Sequence, residues 1–151
     1  MNSVRVLAQA PDRMPGEVVA GFFFEDQRPV EGPSALLDWR LNGLLHKLLL
    51  AGSATGQLGE NILVGNNGKL EASWILFVGG GRLQDLAPFT YGGLVSSVVD
   101  DCRRAGFNQI SLCLTAPADA APDWVEQLAR ELALGSGDME ILLTLQEGVG
   151  A

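Results

Sequence analysis

Basic side chains are in short supply: ten Lys and Arg stand against eighteen Asp and Glu, a formal charge of -8 at pH 7. Binding DNA or RNA needs Lys and Arg to neutralise phosphates, so a nucleic-acid partner is not expected. Histidine occurs once, at His46, and cysteine twice, at Cys102 and Cys113, too few for a structural zinc centre. Both cysteines sit in apolar-patterned segments and read as buried free thiols rather than as a bridge. Long apolar runs are missing too. None approaches the roughly 20 residues that cross a bilayer. The start, Met1-Asn2-Ser3-Val4-Arg5, leads into alternating residues instead of a secretory core. Repeats and low-complexity tracts are also absent. The expectation is a cytoplasmic protein with no membrane and no nucleic-acid partner.

What remains is ample for a fold. A chain of 151 residues that is 47% hydrophobic suits one domain over 1–151 with a sizeable core. Its nineteen glycines are spread along the chain, so they punctuate elements rather than mark a disordered tract. Acidity concentrates late: residues 119–147 hold seven acids and Arg130, or -6, against eleven acids and nine bases elsewhere, or -2. A solvated acidic helix face accounts for this.

Periodicity predicts strands over residues 4–9, 17–24, 61–65, 74–78, 110–115 and 140–145. Trp74-Ile75-Leu76-Phe77-Val78 is apolar throughout, as a strand buried on both faces should be. Between the second and third strands a long helix is expected over 33–51, opened by Pro33 and stopped by Gly52. Leu36, Leu37, Leu41, Leu44, Leu45, Leu48 and Leu49 form its stripe. A further helix should begin near Tyr91 and end at Gly106, carrying Leu94, Val95, Val98, Val99 and Cys102. Gly92, Gly93, Ser96 and Ser97 leave its first turns thin. An acidic helix opens at Pro122 and is stopped by Gly135 to Gly137. Strands and helices alternate through the second half, which implies crossovers and a mainly parallel sheet between helical layers.

Several stretches, in order, resemble the amino-terminal domain of the leucyl (cytosol) aminopeptidase family. They are Gly21-Phe22-Phe23-Phe24-Glu25-Asp26, then Pro29, Gly32, Leu37-Asp38 and Gly43, then Leu48 to Gly52 through Gly56, Gly59 and Glu60, and finally Val78-Gly79-Gly80-Gly81. The resemblance runs from about residue 4 to 147 and implies a macro-domain-like α/β/α sandwich with a mixed, mainly parallel sheet. In that family peptidase activity belongs to a separate carboxy-terminal, two-metal domain. This chain has no counterpart of its Asn-Thr-Asp-Ala-Glu-Gly-Arg segment, so no catalytic residue, metal ligand or cofactor is carried over. The resemblance implies a non-catalytic module, stand-alone or cut from a longer protein, associating with itself or with an aminopeptidase-type catalytic partner.

The best ligand candidate is the turn Gly79-Gly80-Gly81 with Arg82. Glycines at a strand end can free backbone N–H groups to cradle a phosphate, and Arg82 would neutralise it. Macro domains hold the diphosphate of ADP-ribose on such loops, and an ADP-ribose-like nucleotide or other anion is the alternative ligand reading. Glu25 and Asp26, however, stand where those domains carry an asparagine-rich stretch, and would repel a diphosphate. Elsewhere the chemistry is thin. His46 lies on the leucine helix and reads as a surface or helix-flank residue, while Asp38 is expected in local hydrogen bonds. Asp100 and Asp101 are adjacent and diverge on a helix, and Ser96 and Ser97 would need His46 as base. Phe22-Phe23-Phe24 and Leu48-Leu49-Leu50 put adjacent apolar side chains on opposite sides of their elements. A chain that does not cover both sides must associate, which favours a homo-oligomer.

Overall fold

A computed structural model describes residues 3–117, 120–135 and 137–145; Asp119 and Glu147 of the acidic segment lie outside them. Six strands form one sheet: β1 (Ser3–Val6), β2 (Val18–Phe23), β3 (Asn61–Gly65), β4 (Trp74–Gly79), β5 (Gln109–Leu114) and β6 (Glu140–Leu145). Their spatial order is β1-β6-β5-β2-β4-β3. Every neighbouring pair is parallel except β3 with β4, which is antiparallel. The expected mixed, mainly parallel sheet is present.

Four helices cover it: α1 (Gly32–Arg40), α2 (Leu44–Leu50), α3 (Pro88–Arg104) and α4 (Trp124–Gly135). Alternation along the strands splits the core into two layers. Val18, Ala20 and Phe22 of β2 pack with Val95 and Val98 of α3 and Leu128 of α4. Val19 and Phe23 face the other way, against Leu37 of α1 and Leu45 of α2. The result is an α/β/α sandwich. Each leucine buried in the second layer contributes about 1.5–3 kcal/mol.

The single long helix expected over 33–51 is two helices. Asn42 and Gly43 take left-handed backbone, with φ of 60° and 76°, where glycine has no Cβ penalty and Asn is the best tolerated of the rest. The chain turns there, and the buried Asp38 reaches across the break. Its Oδ1 accepts the Leu45 N–H at 2.6 Å and its Oδ2 the His46 N–H at 3.1 Å, so α2 is capped by a side chain from α1. The leucine periodicity survived this break because both helices lay one stripe on one layer. The Asn-Gly pair was the overlooked turn signal. Helix α3 also starts earlier than expected, at Pro88, where a proline at the first helical positions costs no hydrogen bond.

The phenylalanine run divides as its alternation requires, but a single chain covers both sides: Phe22, Phe23 and Phe24 are all at most 1% exposed. That corrects the premise that this run leaves apolar surface over. Leu48 and Leu49 are half-buried and Leu50 is exposed. Among the described residues no helix is long and apolar enough to cross a membrane.

Candidate functional site

The glycine turn follows β4, beside the segment that follows β2, because those two strands pair in register from Val18 with Trp74 to Phe23 with Gly79. This is the carboxyl end of a parallel pair, where open α/β sheets bind ligands. The backbone here is already fully engaged. Gly79 N–H donates to Glu60 O (2.7 Å), Gly80 N–H to Phe23 O (2.8 Å) and Gly81 N–H to Gly56 O (2.8 Å). Glu25 N–H donates to Gly81 O (2.8 Å) and Gly59 N–H to Gly79 O (2.9 Å). None of the three glycine N–H groups is free to cradle a phosphate.

The glycines serve close approach instead. A Cβ on Gly79 would sit 2.1 Å from Gln57 O, and one on Gly80 would sit 2.3 Å from the Phe24 ring. The loop at 55–60 is pressed against β4 and held there from both ends. Glu60 Oε1 accepts the Thr55 and Gly56 N–H groups (3.0 and 2.8 Å). Arg28 donates from Nη1 to Phe24 O (2.6 Å) and from Nη2 to Thr55 O (2.8 Å). Gly56, Gly59 and Glu60, which carry part of the family resemblance, thus build this corner. Sequence reasoning did not join them to Gly79–Gly81, because their partners are distant in the chain.

Asp26 occupies a place at this corner that suits an anion. Its carboxylate accepts the N–H groups of Leu83 (2.6 Å) and Gln84 (3.2 Å) at the opening of a short 3-10 turn. The Leu83 N–H above all, with Gln84 and the nearby Arg82 adding and desolvation opposing, holds its pKa below the ordinary aspartate value. Arg82 itself is exposed and lies 3.9 Å from Asp85 Oδ2.

The remaining candidates stay apart. His46 is exposed on α2, whereas the exposed Ser96 and Ser97 are on α3 across the sheet. Asp38 is spent on capping α2, a local hydrogen-bonding role as expected. Asp100 pairs with Arg103 and Arg104. Trp124 is buried against Tyr91, their rings edge to face at 5.3 Å. Trp39 is exposed with the Arg40 guanidinium 4.9 Å over its ring, and Trp74 is 42% exposed. Among the described residues no group of three or more His, Cys, Asp and Glu is placed to hold a metal.

Cys102 and Cys113 are both buried and unpaired. Burial, reinforced by the charge of Asp101, pushes the Cys102 thiol up to about 11; burial, with Asp12 adding, also raises Cys113. Thiolate is the reactive form, so a thiol reagent at neutral pH should label neither cysteine in the folded chain and both in denaturant. Rapid labelling of the folded chain, followed by absorbance of the released chromophore, would contradict this burial.

With this geometry in view, the fold is that of the macrodomain-like α/β/α sandwiches. Solved structures with it include the macrodomain of Thermus aquaticus DarG (14% identity, TM-score 0.69, covering 95% of this chain and 99% of that one). Another is a Trypanosoma brucei macrodomain in complex with ADP-ribose (17% identity, TM-score 0.67, 95% and 64%). A tomato leucine aminopeptidase variant matches over its amino-terminal part (20% identity, TM-score 0.71), with all of this chain covering 34% of that one. Comparison with curated protein sequences gives no match. Residues 19–138 match the sequence profile described as the cytosol aminopeptidase family, N-terminal domain. The chain belongs to that family, and it spans about a third of the tomato enzyme's length.

Proposed function

We propose that this chain is a non-catalytic association module of the aminopeptidase N-terminal type, acting in the cytoplasm by binding protein: itself, or an aminopeptidase-type catalytic chain. The carrying observation is uncovered apolar surface around a completed core. Leu63 (50% exposed) and Trp74 (42%) lie on the same face of β3 and β4, two residues apart in register, with the Trp74 ring over Gly65. Large exposed apolar side chains on one sheet face are a common mark of an interaction site. The two buried, unpaired thiols and the cytosolic description of the family support the compartment.

The competing reading is an ADP-ribose-like or other anionic ligand at Gly79, Gly80, Gly81 and Arg82, by analogy with the trypanosomal macrodomain. The engaged glycine N–H groups and the Asp26 carboxylate favour association over it. Light scattering on the purified chain should give a mass above the 16.0 kDa of one copy, and leucyl amides should not be hydrolysed. Millimolar ADP-ribose should leave the melting temperature unchanged, since a ligand at 100 times its Kd would add about 2.7 kcal/mol. A rise in melting temperature with ADP-ribose, in a chain that is monomeric, would replace the association reading with the ligand one.

A further inference from the structure

We infer that β3 is a docking edge for a second copy of this chain: two β3 strands pair antiparallel about a two-fold axis at Leu63, joining two six-stranded sheets into one. The inference rests on the association reading above and names its surface. It starts from the direction of the backbone groups. At the two ends of the β3–β4 ladder, Gly79 N–H donates to Glu60 O and Asn66 N–H to Ser73 O. Glu60 and Asn66 are therefore positions that bond to β4. By the alternation of an antiparallel ladder, so are Ile62 and Val64. The N–H and C=O groups of Asn61, Leu63 and Gly65 point the other way, to the side where the sheet ends.

Those outward residues are evenly spaced about Leu63, which makes the edge complementary to itself. Antiparallel pairing with a second copy sets Leu63 against Leu63 and Asn61 against Gly65, with both N–H···O bonds exchanged at each outward pair. The pairing keeps faces matched, so Ile62 meets Val64 on one side and the two Leu63 side chains meet on the other.

Natural sheets blunt their edges with lysine, proline or a bulge. At the opposite edge β1 carries Arg5, ion-paired to Glu140 of β6 at 2.8 Å. β3 reads Asn-Ile-Leu-Val-Gly, with none of these devices. The symmetric spacing of Asn61, Leu63 and Gly65 selects a second copy as its occupant, and the local charge permits it. Two chains of -8 repel over most of their surfaces. Between Lys47 and Lys69, however, the one charged side chain is Glu60, and its Oε1 is folded back onto Thr55 and Gly56. β3 itself therefore sets no charge against its copy.

Residue-resolved amide exchange on the full chain, at low and high concentration, tests this directly. The Asn61, Leu63 and Gly65 amides should gain protection as the dimer fills, while Ile62 and Val64 stay protected at both concentrations. Leu63→Lys, which sets two cations face to face on the axis, should give a monomer by light scattering that still unfolds cooperatively, with a melting temperature that no longer depends on concentration. Leu63→Val should remain dimeric. A wild-type dimer whose three outward amides exchange independently of concentration would overturn the edge, as would a Leu63→Lys chain that stays dimeric. Association would then stand on another surface; the start of α3, where Phe89 is 92% exposed, is the next candidate, and loss of the dimer in Phe89→Ser would identify it. A wild-type chain that is monomeric at every concentration defeats both the edge and self-association. Protection of the three amides only on adding a different protein would assign the edge to another occupant. The wild-type exchange measurement decides the matter even if a Leu63 variant fails to fold.

Discussion

Gly79→Ala should destabilise the chain severely. The added methyl would lie 2.1 Å from the Gln57 carbonyl oxygen, and 2.9 and 3.0 Å from the Gly56 and Gln57 carbonyl carbons. Every one of these neighbours is backbone, so no side chain can rotate out of the way. Overpacking against a deformable side chain costs about 1–3 kcal/mol, and a collision with fixed backbone should exceed that range. Relief requires the loop at 55–60 to lift from β4, which breaks the Gly79–Glu60, Gly59–Gly79 and Gly81–Gly56 bonds together. A loss above about 3 kcal/mol is a large share of the roughly 5–15 kcal/mol that holds a domain folded. A urea titration followed by tryptophan fluorescence measures it. Gly93→Ala is the matched control, because a Cβ there meets nothing within 4 Å, and helix propensity makes it neutral or slightly stabilising. Similar midpoints for the two variants would mean that the corner is not packed as described.

Asp38→Ala should cost about 2–3 kcal/mol, since it strands the Leu45 and His46 N–H groups at the start of α2 and removes a charged acceptor from a buried place. The damage should be local before it is global. Helix α2 has seven residues, too few to persist alone, and its Leu45 is fully buried in the layer beneath. Amide exchange over residues 44–50 should therefore accelerate more than exchange in β2 or β4. Asp38→Asn keeps one acceptor and should lose less. Equal losses for the two variants would show that the carboxylate acts through its charge alone.

The alternation of strand and helix patterns placed all six strands within a few residues, because apolar periodicity reports burial directly. The glycine turn was also legible as a special place, but its use was not. Three consecutive glycines signal tight backbone geometry, and that geometry serves equally to free N–H groups for an anion or to let a second loop press in. The choice depends on Gly56, Gln57 and Glu60, whose position against β4 no local pattern encodes. The break at Asn42-Gly43 was hidden for a related reason. One leucine stripe continued through it, so the burial signal outweighed the turn signal.

By itself, the order of residues determined the α/β class, the two apolar layers and the acidic surface, since each rests on composition or on neighbours within a turn or a strand; the family followed from the resemblance of an ordered set of stretches along most of the chain. Tertiary structure alone decided that the phenylalanine run is covered within one chain, that the glycine corner is closed by its own hydrogen bonds, and that β3 stands at the end of the sheet. Those outcomes depend on pairings between segments far apart in the chain. Side-chain chemistry constrains such pairings, but only the path of the backbone through space selects among them.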